Sequence, residues 1–96
     1  MKYSMNPNIS LELVCGKHLL IASGDAMRSL DYVRVLNDTG AEVLAMAAEG
    51  KDTEDIIHEI SIQYEMDERD TRPGILSFIH EMEKVGYLQS IKGEQK

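Results

Sequence analysis

Two dipeptides in this chain, His58-Glu59 and His80-Glu81, begin the way a zinc-hydrolase helix begins. In that motif a second His stands four residues after the first, so that both imidazoles meet one metal on one helix face. Ile62 and Lys84 occupy those second positions here, and neither pair is a metal site by this signal. Glu54 and His58 stand one helical turn apart, which a solvated helix face explains without an ion. His18 opens a strand with no neighbouring ligand, and a surface role is the default. Cys15 ends a strand on its apolar face, where a buried thiol behaves as a small hydrophobe. A nucleophilic thiol needs an adjacent base and an electropositive setting, and no residue pattern supplies them. Gly24-Asp25 and Gly40 are isolated and belong neither to GxGxxG nor to the GxxxxGKS/T phosphate loop. No catalytic residue, metal or cofactor is expected.

The elements that hold these residues change rhythm at Leu36-Asn37-Asp38-Thr39-Gly40-Ala41. Before that point apolar residues come in short strand-like runs; after it they recur at helical spacing. Strands first and helices second describe an α+β domain, one small antiparallel sheet covered by helices. The first strand is expected over Leu11 to Cys15, with Leu11, Leu13 and Cys15 on one face. Gly16-Lys17 suits a hairpin break, and His18 to Ser23 forms the second strand. The third runs from Asp31 to Leu36, with Val33 and Val35 on one face and Tyr32 and Arg34 on the other.

Asn37, Asp38 or Thr39 can cap a first helix with the stripe Val43, Leu44 and Ala47, ended by Gly50. Asp52 or Thr53 caps a second, with the stripe Ile56, Ile57, Ile60 and Tyr64, leaving Ile62 on the far side. For the third, Pro73-Gly74 predicts a kink or a late start. From Ile75 the pattern is firm, with Ile75, Phe78, Ile79, Met82 and Val85 on one face. Gly86 stops that helix and Tyr87-Leu88 packs back. Residues 1–8 read as a flexible tail, 9–88 as the domain and 89–96 as a polar tail.

At 96 residues the chain is one domain, able to bury roughly two-thirds of its unfolded surface without disulfides or metal. No apolar run approaches the ~18 residues of a membrane span, and Met1 to Asn8 has no apolar core of a signal peptide. The single Cys15 fits a reducing cytoplasm. Charge is uneven. Residues 1–36 carry four Lys/Arg against three acids, whereas residues 49–70 carry nine acids against Lys51 and Arg69. Nucleic-acid binding draws on Lys and Arg at phosphates, so this distribution argues against it.

Three segments carry a resemblance. Val35-Leu36-Asn37-Asp38-Thr39-Gly40-Ala41, then Gly50-Lys51-Asp52-Thr53-Glu54-Asp55-Ile56, then Phe78-Ile79-His80-Glu81-Met82-Glu83-Lys84-Val85-Gly86-Tyr87-Leu88 are together similar to the PqqD-like family. These are the relatives of pyrroloquinoline quinone biosynthesis protein D, and the likeness is collinear from about Asn6 to Leu88. Its motifs are short and mostly structural. The resemblance implies a winged-helix-like fold, a three-stranded antiparallel sheet followed by three α-helices. It also implies a recognition element for ribosomally made, post-translationally modified peptides. Such domains bind the leader of a precursor peptide and present it to a modifying enzyme, often of the radical S-adenosylmethionine type. In the family the leader adds as a strand beside the third strand, in a groove shared with the third helix. Carried over, those positions are Tyr32, Val33, Arg34, Val35 and Leu36 together with the Arg72 to Glu83 face.

One part of this follows without the resemblance. In a three-strand meander the third strand is an edge, and its free N–H and C=O groups are open to any extended segment. At about 100° per residue Leu76 falls to one side of the core stripe, near Arg72, Ile79 and Glu83. A groove-lining row of Arg72, Leu76, Ile79 and Glu83 is therefore expected, with Leu76 as a core residue the competing reading. The same edge leaves a homodimer open. Two rival functions stand beside peptide capture. One is an interaction subunit that meets a folded partner through Ile62 and the acidic second helix. The other is a DNA-binding winged helix, opposed by Asp67, Glu68 and Asp70 at the approach to the third helix.

Overall fold

The computed structural model describes residues 1–24 and 33–91. Along these the chain forms β1 (Tyr3–Met5), β2 (Ile9–Val14), β3 (Lys17–Ala22), β4 (Val33–Leu36), α1 (Asp38–Ala48), α2 (Thr53–Gln63), α3 (Glu68–Val85) and β5 (Leu88–Ser90). β2, β3 and β4 make an antiparallel sheet in that order. The strand-then-helix α+β architecture is as expected. A second, two-stranded antiparallel sheet of β1 and β5 is additional.

That small sheet corrects the reading of both ends. Residues 1–8 are no loose tail: Tyr3 pairs with Ser90 and Met5 with Leu88, and the Tyr3 and Leu88 side chains are buried in the core. The Met1 carbonyl accepts from the backbone N–H and the hydroxyl of Thr53, tying the segment to the start of α2. Three-residue strands carry too little periodicity to stand out alone; pairing across the whole length of the chain makes them. Residues 92–96 of the expected C-terminal tail lie outside the described residues.

The β2–β3 turn falls one residue earlier than expected. Val14 pairs with Lys17, so Cys15 and Gly16 are the loop, with φ of 51° and 77°. Positive φ at both central positions is the twist-matched two-residue hairpin, which Gly accepts freely and Cys does not. Cys15 is consequently exposed at the turn, and is no buried hydrophobe. Leu13 also faces outward, 66% exposed, because the sheet extends past the helices that cover Ile9 and Leu20.

The helices start where a side chain can take a free N–H. Asn37 Oδ1 accepts from Gly40, Asp52 from Glu54 and Asp67 from Arg69. α3 neither starts late nor breaks: it runs from Glu68 through Pro73 to Val85. Pro73 and Gly74 are both exposed, so the carbonyl that Pro73 cannot bond faces water and the helix tolerates it. Gly86, at φ 114°, ends α3 with its N–H on the Met82 carbonyl. The core gathers Leu20, Leu36, Val43, Leu44, Ile56, Ile57, Ile60, Ile75, Ile79, Met82 and Tyr87. Val85 is not part of it. No helix of the described residues is long and apolar enough to cross a membrane.

Candidate functional site

Among the described residues β4 is the outer strand of its sheet, and its hydrogen-bonding parity follows from the hairpin register. Val14 and Lys17 flank a two-residue loop and form a bonded pair, and bonded pairs alternate along an antiparallel ladder. On β3 the groups of Lys17, Leu19 and Ile21 therefore serve β2, and those of His18 and Leu20 serve β4. Their partners are Leu36 and Arg34. Val33 and Val35 are left with N–H and C=O groups directed at the free edge. Their side chains stand on the sheet's outer face, 42% and 61% exposed, beside Ile21 and Leu19.

Arg34 and Leu36 point to the inner face. Leu36 is buried in the core. The Arg34 guanidinium crosses to α3, donating to Glu81 at 2.9 Å, and lies 5.8 Å from the centroid of the Tyr87 ring. The hydrogen bond to Glu81, opposed by partial burial, holds Arg34 more firmly protonated than an ordinary guanidinium. This bridge fixes which flank of α3 faces β4.

The inward stripe of α3 is Thr71, Ile75, Ile79 and Met82. At about 100° per residue, Gly74, Phe78, Glu81 and Val85 fall on the flank toward β4. Phe78 closes onto α1, since a Cβ built on Gly40 would sit 3.4 Å from its ring. Arg72, Leu76 and Glu83 fall on the other flank. Arg72 is held by the Glu54 carboxylate of α2 at 2.7 and 2.8 Å. Glu83 lies near enough to β1 that its charge, second to burial, pushes the Tyr3 phenol up.

The expected α3 row is therefore not brought together beside β4. Arg72 and Glu83 face other elements, Ile79 is buried in the core, and Leu76 is exposed on the wrong flank. Of the expected strand residues, Val33, Arg34 and Val35 meet the groove, Leu36 packs beneath it, and Tyr32 lies outside the described residues. Glu81, which bonds Arg34, and Gly74 and Phe78 on the same flank of α3 were not among the residues expected from the sequence. The sequence marks the stripe between the two flanks, and no signal in it says which flank meets the strand.

Beyond the end of β4 the groove runs into a cleft of about 360 Å³ bordered by Asn37, Val43, Ile60, Asp70, Gly74 and Phe78, among others. His18 Nε2 meets Asp38 at 3.1 Å and His58 Nδ1 meets Glu68 at 2.8 Å, both near the surface. Among the described residues, no three His, Cys, Asp or Glu gather to hold a metal.

No curated protein matches the chain. Two solved structures share its fold. One is TbiB1 in complex with the TbiA(beta) leader peptide, at TM-score 0.75 and 15% identity, covering 93% of this chain and 98% of that one. The other is lasso peptide synthetase B1 complexed with the leader peptide, at TM-score 0.77 and 19% identity, covering 94% and 100%. The family model of coenzyme PQQ synthesis protein D (PqqD) matches residues 27–88, well over half of the chain, and the protein belongs to that family.

Proposed function

We propose that this chain is a non-catalytic peptide-binding module that captures the leader of a ribosomally made precursor peptide and presents it to a modifying enzyme. The observation that carries the reading is the free edge of β4. Among the described residues, the backbone groups of Val33 and Val35 point outward without a partner, on a strand that the Arg34–Glu81 bond ties to α3. An extended peptide adds to such an edge through main-chain hydrogen bonds and gains specificity from alternate side chains. The two structures of the same fold are each described with a leader peptide bound, which supports the same occupant here. Within β4 the binding positions are Val33, Arg34 and Val35, and Tyr32 precedes them.

The modifying partner we assign to the radical S-adenosylmethionine class, on the family resemblance. Presentation to such an enzyme needs no catalytic group in this chain. Affinity purification of the tagged protein from its native cells, with mass spectrometry of what accompanies it, tests the role. A short precursor peptide together with a modifying enzyme is the expected result. Recovery of a large folded partner alone, with no extended peptide able to displace it, overturns the reading in favour of an interaction subunit. That rival has Ile62, 63% exposed on α2, as its surface. Sedimentation of the free protein tests whether β4 instead pairs with a second copy.

A further inference from the structure

The cleft at the end of β4 has walls of one character and a mouth of another. Val43 of α1, Ile60 of α2, and Ile75 and Phe78 of α3 make it apolar. Asp70, in the first turn of α3, is the only charged residue among those lining it. Asp70 is exposed and makes no ion pair among the described residues, and no Lys, Arg or His lines the cleft. The nearby Glu42 differs: Gln63 and Tyr64 both donate to it at 2.8 Å, and it is already satisfied.

The position matters as much as the lining. Asn37, the residue directly after β4, borders the cleft, and so do Gly74 and Phe78 from the flank of α3 that faces the strand. A peptide paired along β4 and continuing past Leu36 passes over this opening. We infer that the cleft takes one side chain of that peptide, a lysine or arginine placed just beyond the paired stretch. Its methylene stem lies against Val43, Ile60 and Phe78, and its cation meets the Asp70 carboxylate. Long basic side chains bury the stem and keep the head at the polar rim. An apolar plug over the mouth strips water from Asp70 and returns nothing, and an acidic one repels it. The net charge of −7 disfavours a second copy of the chain as the occupant.

This inference rests on the β4 reading, and the experiment separates the two. A phage-displayed library of random peptides is panned on the intact protein, and the enriched sequences are synthesised and titrated by fluorescence anisotropy. The expected result is a Lys or Arg at one recurring position, whose replacement by norleucine weakens binding roughly fivefold, as loss of one partly exposed ion pair does. Asp70→Asn weakens the lysine peptide by the same factor and leaves the norleucine peptide unchanged. Selection of a neutral side chain at that position, or Asp70→Asn acting equally on both peptides, overturns the cation while sparing the edge. Enriched peptides that bind Val35→Pro as tightly as the parent overturn the β4 reading, and an empty selection overturns both.

Discussion

Arg34 on the edge strand and Glu81 on the last helix are joined at 2.9 Å across the groove that separates β4 from α3. The Arg34 guanidinium lies over Tyr87, whose buried ring packs where the chain leaves α3. The pair is partly exposed, with side chains 30% and 53% accessible, so its value to stability is small while its effect on groove width is direct. Arg34→Met is expected to cost less than about 1 kcal/mol in urea unfolding. Peptide affinity, measured by anisotropy, is expected to fall by a larger factor than that figure implies. Equal small losses in both would mean that the bridge does not shape the groove.

The parity of β4 makes a pair of proline variants opposite in effect. Val35→Pro removes an N–H that points at the free edge, so the sheet keeps its ladder while an incoming strand loses a partner. Arg34→Pro removes an N–H bonded to β3 opposite Leu20 and costs about 1 kcal/mol or more of stability. Circular dichroism melts and peptide titration together check this. A folded, peptide-binding Val35→Pro would count against strand addition at this edge.

Gly74 ties helix stability to the cleft. Nothing lies within 4 Å of a Cβ built there, so Gly74→Ala is expected to stabilise α3 by about 0.5–1 kcal/mol, a rise of roughly 4–8 °C in melting temperature per kcal/mol. Gly74→Leu projects into the cleft and is expected to weaken peptide binding without unfolding the protein. Leu76→Asp, on the opposite flank, is the control. Its stability and affinity stay within about 0.5 kcal/mol of the parent; a large loss of affinity there would restore the flank first expected from the sequence.

Glu54 and Arg72 supply a pH dependence. The hydrogen bonds from Arg72 hold the Glu54 carboxyl below its ordinary value. A carboxylate whose folded pKa is depressed binds its proton more readily unfolded, so its contribution is present above the unfolded value and disappears as pH falls through the folded one. The window therefore opens near pH 4.5 and extends below. Glu54→Gln is expected to be slightly less stable than the parent at pH 7, with the difference shrinking as pH falls below 4.5. Thermal melts across that range check it, and a constant offset would mean that the pair contributes nothing.

Much of the architecture was legible because it rests on local chemistry. The caps Asn37 and Asp52, each among the candidates at its helix start, the stripe Ile56, Ile57 and Ile60, and the stop at Gly86 follow from short-range rules, whereas the Asp67 cap was not expected. Where those rules failed, a longer-range contact had decided. Pro73 reads as a breaker, yet its position on the wet face of α3 lets the helix pass. Cys15 reads as a strand residue, yet the alignment of Val14 with Lys17 throws it into the turn.

The sequence by itself determined the three strands of the larger sheet, the three helices, their order and the existence of an edge strand, since periodicity, caps and turns act over a few residues. Only the tertiary structure decided which groups that edge offers and what faces it. The register of β2 on β3 assigns the outward N–H groups to Val33 and Val35. The side on which α3 passes β4 brings Glu81 to Arg34 and turns the flank of Arg72, Leu76 and Glu83 away. Both flanks lie beside the same apolar stripe, and a helix wheel has no memory of where the sheet lies. Closing β1 against β5 depends on the same long-range packing, because neither three-residue strand holds without the other.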